Sequence, residues 1–313
     1  MKTLDKKIEQ ILEKESIRQR NSAVFIASEN YASERVRNYS NSIFTNKYAE
    51  GYPGKRYYAG CENADEVENL AISRGKKLFS SKHINVQPHS GSQANMAAYV
   101  SLLKPGDKIL SLSLDHGGHL SHGHNVNFSG KIYEIHNYYL NRESELLDYD
   151  QINEIAEKVK PKLIICGYSA YSRIIDFNKF KTISQKVGSL LMADIAHIAG
   201  LVVSGKHPSP VGIADIITST THKTLRGPRG GLAIIREDLS SKYDRGVFPA
   251  IQGGPLMNTI LAKAAAFEEA LSDNFIEYSQ QIIDNAKVLA NLFLDRGLRL
   301  VSGGTDNHLM LID

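Results

Sequence analysis

The chain has 313 residues, 42% hydrophobic and 23% charged, with a formal net charge of +3 and a pI near 8.6. These proportions are ordinary for a soluble globular protein of roughly two domains, and the positive balance is too mild to argue for nucleic acid or a membrane surface. Its two cysteines, Cys61 and Cys166, share no metal or redox spacing, which fits a reducing compartment.

Residues 3–19 alternate charges with Ile and Leu at helical spacing and predict an amphipathic N-terminal helix. The N-terminus has no apolar core of a signal peptide, and no stretch is long enough to span a bilayer, so a cytoplasmic protein is expected. A second helix is expected from about 64 to 79. Strands are then expected at 108–114, 131–136, 163–166, 190–193, 215–220 and 231–235, and helices at 92–103, 150–159, 178–187 and 258–272. Such alternation predicts an α/β fold with a mostly parallel sheet covered on both faces. A long helix over 274–296 precedes a strand-like run from His308 to Asp313, so the sequence reads as stopping within a strand, as a truncated chain would.

In open α/β sheets, ligands bind outside the carboxyl ends of the strands, and the polar residues of interest here fall at such ends. The apolar, β-branched run Ile216–Thr220 leads through Thr221 and His222 to Lys223, and a Gly/Pro-rich turn carrying Arg226 and Arg229 follows. Desolvation and neighbouring cations both lower a lysine pKa and make its amine a usable nucleophile. Asp194 follows the apolar strand 190–193, with His197 three residues on. A carboxylate at the mouth of a buried strand needs a partner, and a protonated pyridine nitrogen or a helix N-cap would each serve. Its distance from Lys223 in sequence suits adjacent strands joined by one crossover.

Ser90-Gly91-Ser92 opens the helix expected at 92–103, where free N–H groups, the dipole and two hydroxyls make a phosphate cradle plausible beside an ordinary N-cap. No P-loop or strand-linked dinucleotide fingerprint is present. Four histidines between His116 and His124 tempt a metal assignment, but nothing here matches H-E-x-x-H or a Cys/His framework. A loop whose imidazoles serve a cofactor, with no metal, is the expectation. Glu29 and Glu50 sit in tyrosine-rich segments. Among the tyrosines Glu50 could have a raised pKa and shuttle protons, while the same loop could also be a subunit contact.

Taken together, Ala27-Ser28-Glu29-Asn30, the run Tyr48–Tyr58, Gln87–Asn95, His116–Leu120, Asp194–Leu201, Thr220–Gly231 and Gln252-Gly253-Gly254-Pro255 resemble the serine hydroxymethyltransferase family, in the family's order. The resemblance implies a fold-type I pyridoxal phosphate enzyme with a seven-stranded, mostly parallel sheet between helices. It would act as a homodimer or dimer of dimers and interconvert serine plus tetrahydrofolate with glycine plus 5,10-methylenetetrahydrofolate. Lys223 would form the Schiff base, and Asp194 would hold the pyridinium nitrogen protonated. Ser169 and His197 would lie on the phenolic-oxygen side, His119 on the ring, and Ser90, Gly91 and Ser92 at the phosphate, with Gly253 and Gly254 supplied by the partner. Glu50 from the facing subunit would shuttle protons. Ser28, Tyr48 and Tyr58 match substrate-side positions, Leu114, Gly118, His119 and Leu120 the folate segment, and His222 a position tied to reaction specificity.

The same resemblance divides the chain into an N-terminal arm and dimer-contact segment (1–50), a large cofactor-binding domain (51–273) and the start of a small C-terminal domain (274–313). Most of that last domain, with the arginine for the substrate carboxylate, is missing from the matched pattern. A catalytically impaired cofactor-binding remnant and a threonine aldolase-like or aminotransferase enzyme are the alternatives. Ala250, where glycine is usual, would be strained if that position needs a positive φ.

Overall fold

The computed structural model describes residues 5–313. Its helices and strands run α1 (Lys6–Asn21), α2 (Glu34–Ser40), β1 (Gly51–Tyr52), β2 (Lys55–Arg56), α3 (Glu62–Phe79), β3 (Ile84–Asn85), α4 (Gly91–Leu102) and β4 (Lys108–Leu112). There follow α5 (Phe128–Ile132), β5 (Glu134–Tyr138), α6 (Tyr149–Val159), β6 (Leu163–Cys166), α7 (Phe177–Val187), β7 (Leu190–Asp194) and α8 (Ala199–Val203). The last are β8 (Ile216–Thr220), β9 (Gly231–Ile235), α9 (Ser240–Val247), α10 (Met257–Ala270) and α11 (Asp273–Asp295).

Seven strands form one sheet in the order β3-β9-β8-β7-β6-β4-β5, and β1 and β2 make a separate hairpin. The pairs β4–β5, β4–β6, β6–β7 and β7–β8 are parallel, whereas β9 runs antiparallel to both β8 and β3. Strand residues alternate between two cores. Ile109, Leu163, Ile165, Met192 and Ile216 join one, while Leu110, Ile164, Cys166, Leu191 and Ile217 join the other. Alternation with both sets apolar is what a sheet covered by helices on both faces requires. After β4 the chain adds β5 on one side and β6 on the other, so the topological switch lies between β4 and β6, where such sheets form their ligand crevice.

The expected elements are present with local corrections. The strand expected from 131 begins only at Glu134, because Asn127 accepts a hydrogen bond from Ser129 N and caps α5 through Ile132. The strand expected to reach 114 ends at Leu112, where the chain turns into a short 3-10 segment over Leu114–His116. The run 308–313 forms no strand; a single bridge pairs Leu300 with Ile312. α1 extends to Asn21, and the start expected at residue 3 lies outside the described residues. Ala250 does not have a positive φ, so the strain expected there is absent.

Candidate active site

β8 is buried along its whole length and delivers Lys223 into a tight turn: Arg226 N donates to Lys223 O at 2.9 Å and Gly227 N to Thr221 O at 2.6 Å. Burial lowers the Lys223 pKa, the Asp194 carboxylate opposes that shift, and the Arg229 guanidinium adds to it. Of the two cations expected to act, only Arg229 does. Arg226 instead donates through Nε to Tyr31 O at 2.8 Å and lies over the Tyr278 ring at 5.1 Å.

β7 ends at Asp194 and pairs in parallel with β8, so the expected single crossover holds. Burial alone would raise the Asp194 pKa, but the hydrogen bonds of His122 and of the Asn95 amide outweigh it and hold the carboxyl well below the usual range. His122 Nε2 lies 2.9 Å from Asp194 Oδ2, Asn95 Nδ2 donates to the same oxygen at 2.9 Å, and Ala196 N donates to Oδ1 at 3.0 Å. Since a carboxylate only accepts, Nε2 of His122 carries the proton, while its Nδ1 faces His119 N at 3.4 Å. His119 is fixed through Nδ1 by Ser121 N at 3.1 Å and Ser121 Oγ at 2.6 Å.

The other two histidines of the cluster turn elsewhere. His116 Nδ1 accepts from Leu140 N, and His124 Nδ1 lies by Val126 N. Sequence reasoning passed over His122, Asn95 and Ser121 as the groups that hold Asp194 and His119. The clustering of histidines drew attention to the loop but could not say which two point inward.

His197, after β7, is buried with Nδ1 lacking any partner, and its ring stacks on His308 at 5.7 Å. Burial first, then the charges of Lys223 and His308, push its pKa far down. His222 is lowered to about 4 by burial and by Arg229. Ser169 follows β6, its N–H donating to Gly117 O at 2.9 Å. Ser28 lines a pocket shared with Glu29, Asn30, His222 and Arg229.

Ser90 caps α4 by accepting from Gln93 N at 3.2 Å, so the N-cap reading is correct. That does not exclude the cradle. Gly91 and Ser92 present the first N–H groups of the helix, which have no intrahelical partner. A Cβ on Gly91 would come within 2.7 Å of Thr220 Cγ2, so only glycine lets the helix start lie this close to the end of β8.

A second group forms apart from Lys223. Glu50 accepts from Tyr48 Oη at 3.3 Å and Tyr58 Oη at 3.1 Å, and the two rings meet edge to face at 5.2 Å. A Cβ on Gly253 would stand 2.9 Å from Glu50 Oε1, and one on Gly254 3.4 Å from the Tyr48 ring. Among the described residues no hydrogen bond or ion pair joins Glu50, Tyr48 or Tyr58 to Lys223. Leu114 and His119 line a pocket with Leu112 and Asn137; Gly118 is buried beside them and Leu120 is exposed.

The residues around Lys223 fit pyridoxal phosphate: a desolvated lysine, an ionised carboxylate at the neighbouring strand end, an unpartnered His197 nitrogen and a close-packed helix N-terminus.

Comparison with known proteins agrees. A family model described as serine hydroxymethyltransferase matches residues 1–313. A serine hydroxymethyltransferase of Onion yellows phytoplasma is 58% identical over 315 residues, covering 100% of this chain and 76% of that protein. Serine hydroxymethyltransferase 1 of Pseudomonas fluorescens is 55% identical over 313 residues, covering 100% and 76%. The enzyme of Dehalococcoides mccartyi strain 195 is likewise 55% identical, with 75% of its length covered. The chain belongs to the serine hydroxymethyltransferase family.

Proposed function

We propose that this chain interconverts serine plus tetrahydrofolate with glycine plus 5,10-methylenetetrahydrofolate, with Lys223 as the residue that holds the cofactor. The observation that carries the residue assignment is the pairing of β7 with β8, which sets the Asp194 carboxylate and the half-buried Lys223 amine at neighbouring strand ends. The family uses pyridoxal phosphate and tetrahydrofolate. The bound cofactor supplies an electron sink for cleavage at the amino acid's α-carbon.

Each residue's part follows from its surroundings. Desolvation leaves the Lys223 amine easier to deprotonate and so able to attack an aldehyde. Asp194, kept ionised by His122 and Asn95, offers a buried negative charge to a ring N–H. The start of α4, with Ser90, Gly91 and Ser92, would hold the cofactor's phosphate, and His119 would lie against its ring. Ser169 and His197 would contact the cofactor beside its ring, His197 as a neutral imidazole because burial disfavours its cation. Ser28 and His222 line the substrate side, and Leu114, Gly118 and Leu120 the folate side.

Glu50, Tyr48, Tyr58, Gly253 and Gly254 form one surface group, and this reading has them completing the site of a second copy, where Glu50 moves the proton at the hydroxymethyl group. Supporting a dimer, α1 buries no residue and exposes Ile8, Ile11 and Leu12. In the same reading residues 1–50 are the contact arm, 51–273 the cofactor domain, and α11 opens the following domain. Two buried free cysteines favour a cytoplasmic setting; among the described residues, no helix is long and apolar enough to cross a membrane.

The test is glycine formation from serine by the purified, cofactor-loaded chain, with and without tetrahydrofolate. Folate-dependent turnover that Lys223→Ala abolishes supports the reading. Folate-independent cleavage would point to an aldolase-type reaction instead.

A further inference from the structure

The carbonyl of Lys223 is held by a side chain from the N-terminal segment: Asn30 Nδ2 donates to it at 2.9 Å. The second Nδ2 hydrogen meets the Tyr278 hydroxyl at 3.0 Å, and Oδ1 accepts from Tyr31 N at 2.8 Å. These contacts fix the amide orientation, because only an N–H face can meet a carbonyl. Tyr278, on α11, also lies beneath the guanidinium of Arg226, whose Nε bonds Tyr31 O and whose backbone N–H bonds Lys223 O. The circuit is closed: Lys223 carbonyl, Asn30, Tyr278, Arg226 and back to Lys223. Arg226 completes it at φ 60, a left-handed conformation that costs a non-glycine residue free energy and persists only where surroundings over-determine it.

We propose that Asn30 and Tyr278 are positioning residues for Lys223, Tyr278 acting through Asn30, so that the first turns of α11 set how the cofactor-binding amine is presented. The inference rests on the reading of Lys223 as that amine. Neither side chain need touch cofactor or substrate. Their effect passes through the turn that carries the lysine, where a small misplacement of a reacting group has a large effect on rate.

The experiment follows pyridoxal phosphate capture by the apoprotein, trapped with borohydride and located by mass spectrometry, for wild type, Asn30→Ala, Tyr278→Phe and the double variant. Melting temperature and the pH of half-maximal capture are recorded for each. We expect capture at Lys223 to slow about tenfold in Asn30→Ala and about threefold in Tyr278→Phe, the range one or two hydrogen bonds span. The double variant should match Asn30→Ala alone, because both changes break one chain of contacts. The capture midpoint should move up in pH as the loosened turn lets the amine regain water. Asp194, Arg229, His119, His197, His222 and His308 are the titratable groups facing Lys223, and all are unchanged in these variants. Wild-type capture rates and midpoints in the variants, or effects that multiply in the double variant, overturn the inference. Wild-type protein that takes no label at Lys223 overturns the functional reading and this inference with it.

Discussion

His122 Nε2 lies 2.9 Å from Asp194 Oδ2, and this one contact ties the histidine-rich loop after β4 to the end of β7 across the topological switch. The carboxylate sits where burial favours its neutral form, and His122 with Asn95 reverses that preference. Replacing His122 by leucine leaves Asp194 with Asn95 and the Ala196 N–H only. Its pKa then rises, and cofactor affinity falls by about tenfold or more, the worth of a hydrogen bond to a charged group. A cofactor titration of His122→Leu measures this directly. The folded pKa of Asp194 is depressed, so its stabilisation is present above the unfolded value of about 4 and is lost as pH falls below it. Wild type should therefore exceed His122→Leu in stability at neutral pH, with the gap closing in acid.

Glu50 and Lys223 sit in different clusters of one chain, which predicts a specific result for mixed subunits. Glu50→Gln should retain cofactor capture at Lys223 but lose turnover, whereas Lys223→Ala should lose both. If each site draws Glu50 from one copy and Lys223 from the other, unfolding and refolding the two inactive variants together restores roughly a quarter of wild-type activity, since half of the random dimers carry one intact site. Mixtures that stay inactive would place Glu50 and Lys223 in the same subunit's site.

Much of this was legible in the sequence because buried parallel strands are unbroken apolar runs, and the functional residues stand just past their ends. Asp194 and Lys223 stood out for that reason. The partners did not. Asn95 and His122 reach Asp194 from α4 and a loop, and Asn30 and Tyr278 meet under Lys223 from opposite ends of the chain. No periodicity encodes such meetings; they come from tertiary packing. Two-residue β3 was missed for a related reason, since Ile84-Asn85 joins the sheet only because β9 runs beside it.

Lys263 supplies a prediction the sequence did not suggest. It is buried on α10, and its Nζ donates to the carbonyls of Val86 at 2.6 Å, Pro88 at 3.1 Å and Gly231 at 2.7 Å. These carbonyls flank the Ser90 turn, so the ammonium is a strut beneath the start of α4. Lys263→Met removes the ammonium from the buried carbonyls of Val86 and Gly231, at about 1–3 kcal/mol each, while Pro88 O keeps its hydrogen bond from Gly231 N; with the desolvated charge also removed, a net loss of about 2 kcal/mol is expected. Burial lowers the Lys263 pKa to about 7, with Glu68 opposing. Between that value and the unfolded lysine pKa of about 10.4 the unfolded chain binds more protons, so this group makes wild-type stability rise with pH. The wild-type advantage over Lys263→Met should widen from pH 7 to pH 10 in urea melts; a constant gap would mean Lys263 stays charged.

Gly167 links strand geometry to the site most directly. It follows β6 at φ +95, and a Cβ there would overlap the backbone carbonyl oxygen of Asp194. Gly188, after α7, also has a left-handed backbone, at φ +71, but nothing lies within 4 Å of its Cβ position. Gly188→Ala should therefore cost only the conformational term, about 1 kcal/mol. Gly167→Ala adds a backbone clash that cannot be relieved by rotating a side chain, and about 3 kcal/mol or more is expected. The clash pushes on Asp194 itself, between Ser169 on one strand end and Lys223 on the other, so cofactor affinity should fall in Gly167→Ala and hold in Gly188→Ala. Thermal melts and cofactor titrations of the two variants separate the effects. Equal losses of affinity would show that the close approach of β6 and β7 at Asp194 does not set the position of the carboxylate.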